Sequence, residues 1–302
     1  MNIPINTPIL DQKEISAVLS VLKTGSLTSA AKDGGKNVQD FEKLTCQFVK
    51  SKYAIAVNSG TAALQAALYS LDLKKGDEVI VPSFTFVASA NAIASTGAKP
   101  VFADILSSNY TIDPDSIKQI ITKKTKAIMP VHLYGHIAQV DEIKEIASKQ
   151  NIPVVEDAAQ SLGSTYKGKH SGTFFDLGCY SLYPGKVMTS GEGGVIVTNN
   201  KKLFEKLQMI RNHGMVKGYD SKIFGLNLRL PEISAAIAKI QIKKLPHFIK
   251  IRTKNAELLS KLLSTYEIKI PIPRKNEKLN WSLYTKYKFD RFFATFEFQD
   301  LF

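Results

Sequence analysis

Apolar residues recur at helical spacing near the N-terminus and then give way to short, dense runs. Over residues 11–23, Ile15, Val18, Leu19 and Leu22 fall on one side of a helix, and Gly25 supplies a stop. Phe41, Leu44, Phe48 and Val49 repeat at the same spacing and predict a second helix over 38–50, with the intervening 26–35 a loop by composition. From residue 53 onward, compact runs rich in Val and Ile predict strands at 53–58, 78–83, 99–104, 126–132 and 153–157. Helical segments fall between most of them, around 61–72, 86–96, 114–121 and 139–150. Strands separated by helices of that length need crossover connections, which predicts a mainly parallel sheet with both faces covered. Two further strands, at about 178–183 and 193–199, flank a Gly-rich turn. Their short separation suits an antiparallel or irregular pairing better than a crossover.

Beyond residue 200 the pattern is helical. Ile233, Ala236, Ile237 and Ile240 share one face over 232–245, and 248–265 forms another long candidate before a Pro-rich stretch at 270–274. The expected fold class is α/β, a mainly parallel mixed sheet flanked by helices, with a small C-terminal domain. The expected division is a large domain over 1–240 and a small one over 241–302, against which the N-terminal helix could pack.

A chain of 302 residues with 44% hydrophobic content can bury one large core and a smaller second one. The net charge of +13 fits a nucleic-acid surface, a rim that attracts a diphosphate-bearing substrate, or a plain lysine-coated exterior. The basic residues come in scattered pairs, such as Lys74-Lys75, Lys123-Lys124 and Lys201-Lys202, and no basic block is interleaved with aromatics. That distribution argues against nucleic acid as a partner. The first fourteen residues hold no basic region followed by an apolar run, and no uncharged apolar stretch is long enough for a bilayer, so a soluble, cytoplasmic protein is expected. Cys46 and Cys179 lie far apart, match no metal-binding spacing, and read as buried free thiols with no metal site.

In open parallel sheets, ligands bind at the carboxyl ends of the strands. The first strand runs into Asn58-Ser59-Gly60-Thr61 just before a helix. Small residues admit a ligand to the backbone, and a helix N-terminus favours an anion, although the same run is also a plain helix cap. The fifth strand ends in Glu156-Asp157-Ala158-Ala159-Gln160. A carboxylate there is partly desolvated and needs a partner, either a protonated ring nitrogen or a structural cation. Next come Ser181-Leu182-Tyr183-Pro184-Gly185-Lys186 and the Gly191–Gly194 turn. A lysine held between apolar strands can have its pKa lowered and attack a carbonyl, where a solvated surface lysine would not.

These segments together resemble the DegT/StrS group of nucleotide-sugar aminotransferases, among the fold-type-I pyridoxal-phosphate enzymes. The resemblance is carried by Asn58 to Leu64, Pro82 to Ala88, Pro130 to Gly135, Glu156 to Gln160, Ser181 to Lys186, Arg211 to Gly214 and Gly225 to Ala236, and covers roughly residues 3 to 288. It implies that Lys186 carries pyridoxal 5′-phosphate as a Schiff base and shuttles the substrate proton. It implies that Asp157 keeps the pyridine nitrogen protonated and that Phe86 stacks on the ring. Gly60, Thr61 and Ser181 would bind the phosphate, and Gln160 would contact the ring oxygen or help position Asp157. Asn227, with Arg229, resembles the segment that reaches into a neighbouring subunit's site, which implies a homodimer with a shared active site. His132 and His213 stay outside this set. The implied reaction is ping-pong transamination of a nucleotide-linked keto-sugar, with glutamate as donor. Relatives that dehydrate deoxysugars carry histidine where Lys186 stands, so the lysine favours transamination.

The C-terminus departs from the resemblance. Asn280-Trp281-Ser282-Leu283-Tyr284 is similar to a family segment, yet five of the last eleven residues are phenylalanine, without a strand or helix period. The expectation is a small domain cut short near residue 290. The alternatives are a catalytically impaired remnant that still binds cofactor, an enzyme aminating a cyclitol ketone, or one dehydrating a sugar.

Overall fold

The computed structural model describes residues 7–266, 268–286 and 294–296. Helices α1 (Gln12–Thr24) and α2 (Lys36–Val49) lead into strand β1 (Tyr53–Val57). There follow α3 (Gly60–Tyr69), β2 (Glu78–Pro82), α4 (Ala88–Ser95), β3 (Lys99–Ala103), α5 (Pro114–Ile120), β4 (Thr125–Ile128), α6 (Val140–Gln150) and β5 (Val155–Asp157). Short strands β6 (Thr165–Tyr166) and β7 (Lys169–His170) precede β8 (Leu177–Ser181) and β9 (Gly194–Thr198). After α7 (Lys201–Arg211), β10 (Met215–Lys217) and β11 (Asp220–Ser221), the chain forms α8 (Glu232–Leu263), β12 (Glu277–Lys278), β13 (Tyr284–Lys286) and β14 (Ala294–Phe296).

One four-stranded sheet, in the order β1-β9-β8-β5, meets a three-stranded sheet, β3-β2-β4. Parallel bridges Ile128↔Val154 and Val131↔Asp157 join them into seven strands. All pairings are parallel except those of β9, which runs antiparallel to both β1 and β8. The sheet is therefore mixed and mainly parallel, as the spacing of the apolar runs predicts.

Alternation along β1 divides the core. Ile55 and Val57 pack with Leu64, Leu68 and Leu207 on one face, while Ala54 and Ala56 meet Phe41, Leu245 and Phe248 on the other. A third cluster fills the space around β2, β4 and α6. A small fourth one gathers Ala256, Leu279, Trp281 and Tyr284 near the C-terminal end of α8.

Helix α1 begins with a capping box in which Asp11 accepts the Lys13 N–H at 2.8 Å and Glu14 accepts the Asp11 N–H at 3.0 Å. Gly25 closes it at φ 68°, as a left-handed C-cap. Its orientation corrects the sequence pattern. Glu14 and Val21 face inward, while Ile15, Leu19 and Leu22 stand about half exposed. The cause is a polar anchor: the buried Glu14 carboxylate accepts from Gln241 Nε2 at 2.8 Å and Lys244 Nζ at 2.7 Å on α8.

Two helices expected over 232–245 and 248–265 are one helix, α8, with Pro246 inside it. Proline costs the helix one internal hydrogen bond, and burial of Leu245 and Phe248 on either side holds the axis together. Residue 240, the expected domain boundary, falls within this helix. The C-terminal tail also differs from expectation in part, because residues 294–296 pair antiparallel with Tyr284–Lys286. The chain around residue 290, where the small domain was expected to break off, lies outside the described residues. Among the described residues, no helix is long and apolar enough to cross a membrane.

Candidate active site

A cavity of about 360 Å³ opens at the carboxyl edge of the parallel strands. Ser59, Gly60 and Thr61 enter it from the end of β1, Thr85 and Phe86 from β2, and Asp157 and Gln160 from β5. Ser181, Tyr183 and Lys186 follow β8, and Glu192 precedes β9. Seven of the eight residues singled out from the sequence thus converge on one space: Gly60, Thr61, Phe86, Asp157, Gln160, Ser181 and Lys186. Its size suits a small organic ligand.

Asn227 lies apart from these. It is exposed, and its carbonyl accepts from Asn58 Nδ2 at 3.4 Å. Neighbouring Arg229 donates to Asn212 Oδ1 at 2.7 Å. Within one chain, this segment does not reach the cavity wall.

The first turn of α3 has the geometry of an anion cradle. Ser59 is the N-cap and accepts the Ala62 N–H at 3.0 Å, so the cap reading of this run holds, and it leaves the run facing the cavity. A methyl group on Gly60 would lie 2.6 Å from Ser181 Cβ and 2.9 Å from its hydroxyl oxygen. Glycine therefore lets the Ser181 hydroxyl and the helix N-terminus share one small space. That arrangement suits a phosphate held by backbone N–H groups and a hydroxyl.

In the same cavity, Asp157 is 5% exposed. Its main chain is fixed on both sides, with its N–H donated to the Pro130 carbonyl and its own carbonyl accepting the His132 N–H, both at 2.9 Å. Its Oδ2 accepts from Ser89 Oγ at 2.7 Å, and Oδ1 accepts the Ala159 N–H at 3.1 Å. Burial pushes the Asp157 carboxyl above its ordinary value; the Ser89 hydrogen bond, the Ala159 N–H and the Lys186 charge pull it back, in that order. A protonated ring nitrogen would supply the positive partner that a buried carboxylate favours. Lys186 is half-buried and lines the same cavity, in a turn closed by its own N–H on the Tyr183 carbonyl at 2.9 Å. Gln160 accepts the Tyr134 N–H at 2.8 Å through its side-chain oxygen. Phe86 is 70% exposed at the rim, an unusual state for phenylalanine and one that a flat ring beside it would relieve.

The adjacent acid plays another part. Glu156 is fully buried and accepts the Gly172 N–H at 2.6 Å and the Phe175 N–H at 2.9 Å. His132 Nδ1 accepts the Ala138 N–H at 3.1 Å, so the ring proton sits on Nε2 and is donated to Glu156 at 2.9 Å. His132 is thus a structural tie, and His213 is exposed; neither lines the cavity. Both thiols are free: Cys179 is buried, its thiol pushed well up by desolvation, while Cys46 is half-buried.

Sequence reasoning placed Ser59 in the candidate cradle run but assigned no role to Thr85, Ser89, Tyr183 or Glu192. Ser89 carried a weak signal, lying three residues after Phe86 and so one helical turn on.

The sequence model of the DegT/DnrJ/EryC1/StrS aminotransferase family matches residues 8–294. GDP-perosamine synthase of Caulobacter vibrioides is 40% identical over 252 residues, which cover 83% of this chain and 67% of that protein. Among solved structures, S. venezuelae DesV in complex with a ketimine intermediate overlays with a TM-score of 0.89 at 34% identity, covering 95% of this chain and 79% of DesV. The PLP-form of putative sugar aminotransferase Spr1654 from Streptococcus pneumoniae gives a TM-score of 0.89 at 27% identity, covering 95% of this chain and 78% of that one.

Proposed function

This chain belongs to the DegT/DnrJ/EryC1/StrS aminotransferase family, and on that footing we propose that it aminates a keto-sugar linked to a nucleoside diphosphate, with glutamate as the amino donor. The cofactor is pyridoxal 5′-phosphate, the group named in the Spr1654 structure. The name of the Caulobacter relative points to a nucleotide-linked sugar as substrate. The observation that carries the reading is the presence of Lys186 and Asp157 on the walls of one cavity, with the Gly60–Ser181 cradle beside them.

When bound, pyridoxal phosphate supplies an aldehyde carbon that receives and passes on the amino group, and a ring that draws electrons from it. The chain's own groups do the rest. Gly60, Thr61 and Ser181 bind the phosphate through backbone N–H groups and a hydroxyl. Asp157 holds a proton on the ring nitrogen. Phe86 covers the open ring face and excludes water from it. Gln160 meets the ring oxygen or steadies the loop after Asp157. Lys186 Nζ is the amine that would hold the cofactor through its aldehyde carbon and would serve as the proton carrier at the reacting carbons.

Every residue of this set precedes residue 240, which supports a cofactor-binding part over 1–240 and a smaller part over 241–302. A homodimer is the matching assembly. The half-exposed Ile15, Leu19 and Leu22 offer apolar area for a second copy, and Asn227 would serve the partner's site. Adding glutamate to the cofactor-loaded protein should bleach its visible absorption, and a GDP-linked keto-sugar should restore it with formation of an amino sugar. Absorption that no amino donor alters would defeat the proposal.

A further inference from the structure

Ser89 lies in the first turn of α4 and is fully buried. Its hydroxyl lies 2.7 Å from Asp157 Oδ2 and 2.9 Å from Thr85 Oγ1. A serine has one proton to give. Asp157 as a carboxylate can only accept, so the Ser89 proton is committed to it, and the Thr85 hydroxyl must donate to Ser89. The result is an oriented chain, Thr85 to Ser89 to Asp157, running from the cavity wall to the buried acid. Thr85 lines the cavity and Phe86 follows it in sequence. The Phe86 carbonyl accepts the Ser89 N–H at 3.1 Å. One residue therefore ties the segment that carries Phe86 to the strand end that carries Asp157.

We propose that Ser89 is a positioning residue for transamination: through Oδ2 it keeps Asp157 ionised and aimed at the cofactor's ring nitrogen, with Thr85 orienting its hydroxyl. The inference rests on the reading of Asp157 given above. The carboxylate has room for about four hydrogen bonds. Ser89 and Ala159 use one on each oxygen, which leaves capacity on the cavity side for a ring N–H. Without the Ser89 donor, the same burial would act on an acid with less to hold its charge, and it would bind a proton at a higher pH.

The test is the pH dependence of pyridoxal-phosphate affinity, followed by absorbance titration, in the full chain and in Ser89→Ala, Ser89→Cys, Ser89→Thr, Thr85→Val and Asp157→Asn. As pH falls, affinity should decline when Asp157 protonates. In Ser89→Ala that decline should move up by about one pH unit, the scale of one hydrogen bond to a charged group. Ser89→Cys, which keeps the volume with a weaker donor, should move in the same direction, and it carries the test if the alanine variant does not fold. Ser89→Thr should restore the native profile, and Thr85→Val should give a smaller shift. If Ser89→Ala and Ser89→Cys keep the native profile while Asp157→Asn loses it, the Ser89 inference is overturned and the function stands. If Asp157→Asn itself binds cofactor with an unchanged profile, the reading of Asp157 falls first.

Discussion

Gly60 and Ser181 stand so close that a methyl group on the glycine would come within 2.6 Å of Ser181 Cβ. The two residues belong to the first turn of α3 and the last position of β8, which meet across the sheet edge. Substituting Gly60→Ala should push the Ser181 side chain out of the cradle at about 1–3 kcal/mol of strain. The expected result is a folded protein with roughly tenfold or more weaker pyridoxal-phosphate affinity, measured by absorbance titration. Native affinity in this variant would remove the cradle from the site.

Lys186→Ala should abolish both the visible absorption of the bound cofactor and all turnover, with an unchanged circular dichroism spectrum. Borohydride reduction of the native protein followed by peptide mass spectrometry should place the cofactor mass on Lys186. A label on any other lysine would reassign the site.

Asp157 gives a stability prediction with a defined sign. Its folded-state pKa is raised above its unfolded value, chiefly by burial. Its contribution to stability is therefore fully present below the ordinary carboxylate range and is lost as pH rises toward the folded value. Asp157→Asn should raise the thermal midpoint of the cofactor-free protein by a few degrees at neutral pH, while removing turnover. Below the ordinary carboxylate range the two midpoints should converge. A variant less stable than the native chain at neutral pH would contradict this balance.

Removing the charge of Glu156 should have the opposite effect on the midpoint. Its oxygens accept two backbone N–H groups and the His132 Nε2 proton. Glu156→Gln puts an amide N–H₂ where a donor already points, at a cost of about 2–4 kcal/mol. Calorimetry should register a midpoint lower by roughly 3–6 °C. Cofactor affinity, once the protein is folded at low temperature, should change little, because Glu156 does not touch the cavity.

The sheet was legible because β1 to β5 are short Val- and Ile-rich runs spaced by amphipathic helices, a pattern with few other solutions. The position of Asp157 at a strand end, and of Lys186 in the connection between β8 and β9, followed from the same reading. The facing of α1 was not legible, because a buried Glu14 paired with Lys244 overrode the apolar stripe. The continuity of α8 was hidden by Pro246, a residue that normally ends a helix and here is carried by packing on both sides. Ser89 was hidden for a different reason: its contact with Asp157 spans 68 residues of chain, and its place one turn beyond Phe86 is only a weak local mark.

The length of α8 has a mechanical consequence. Its first residue, Glu232, accepts the Asn37 and Val38 N–H groups at 2.9 and 3.1 Å, anchoring the start of α2. Near its far end, the Ser260 hydroxyl meets the Tyr284 hydroxyl at 2.9 Å. A rod of 32 residues, about 48 Å, thus ties the start of α2 and the Tyr284 segment to one stiff member. Force applied to the C-terminal segment is felt at the second helix, and if the rod flexes, Pro246 is its fulcrum.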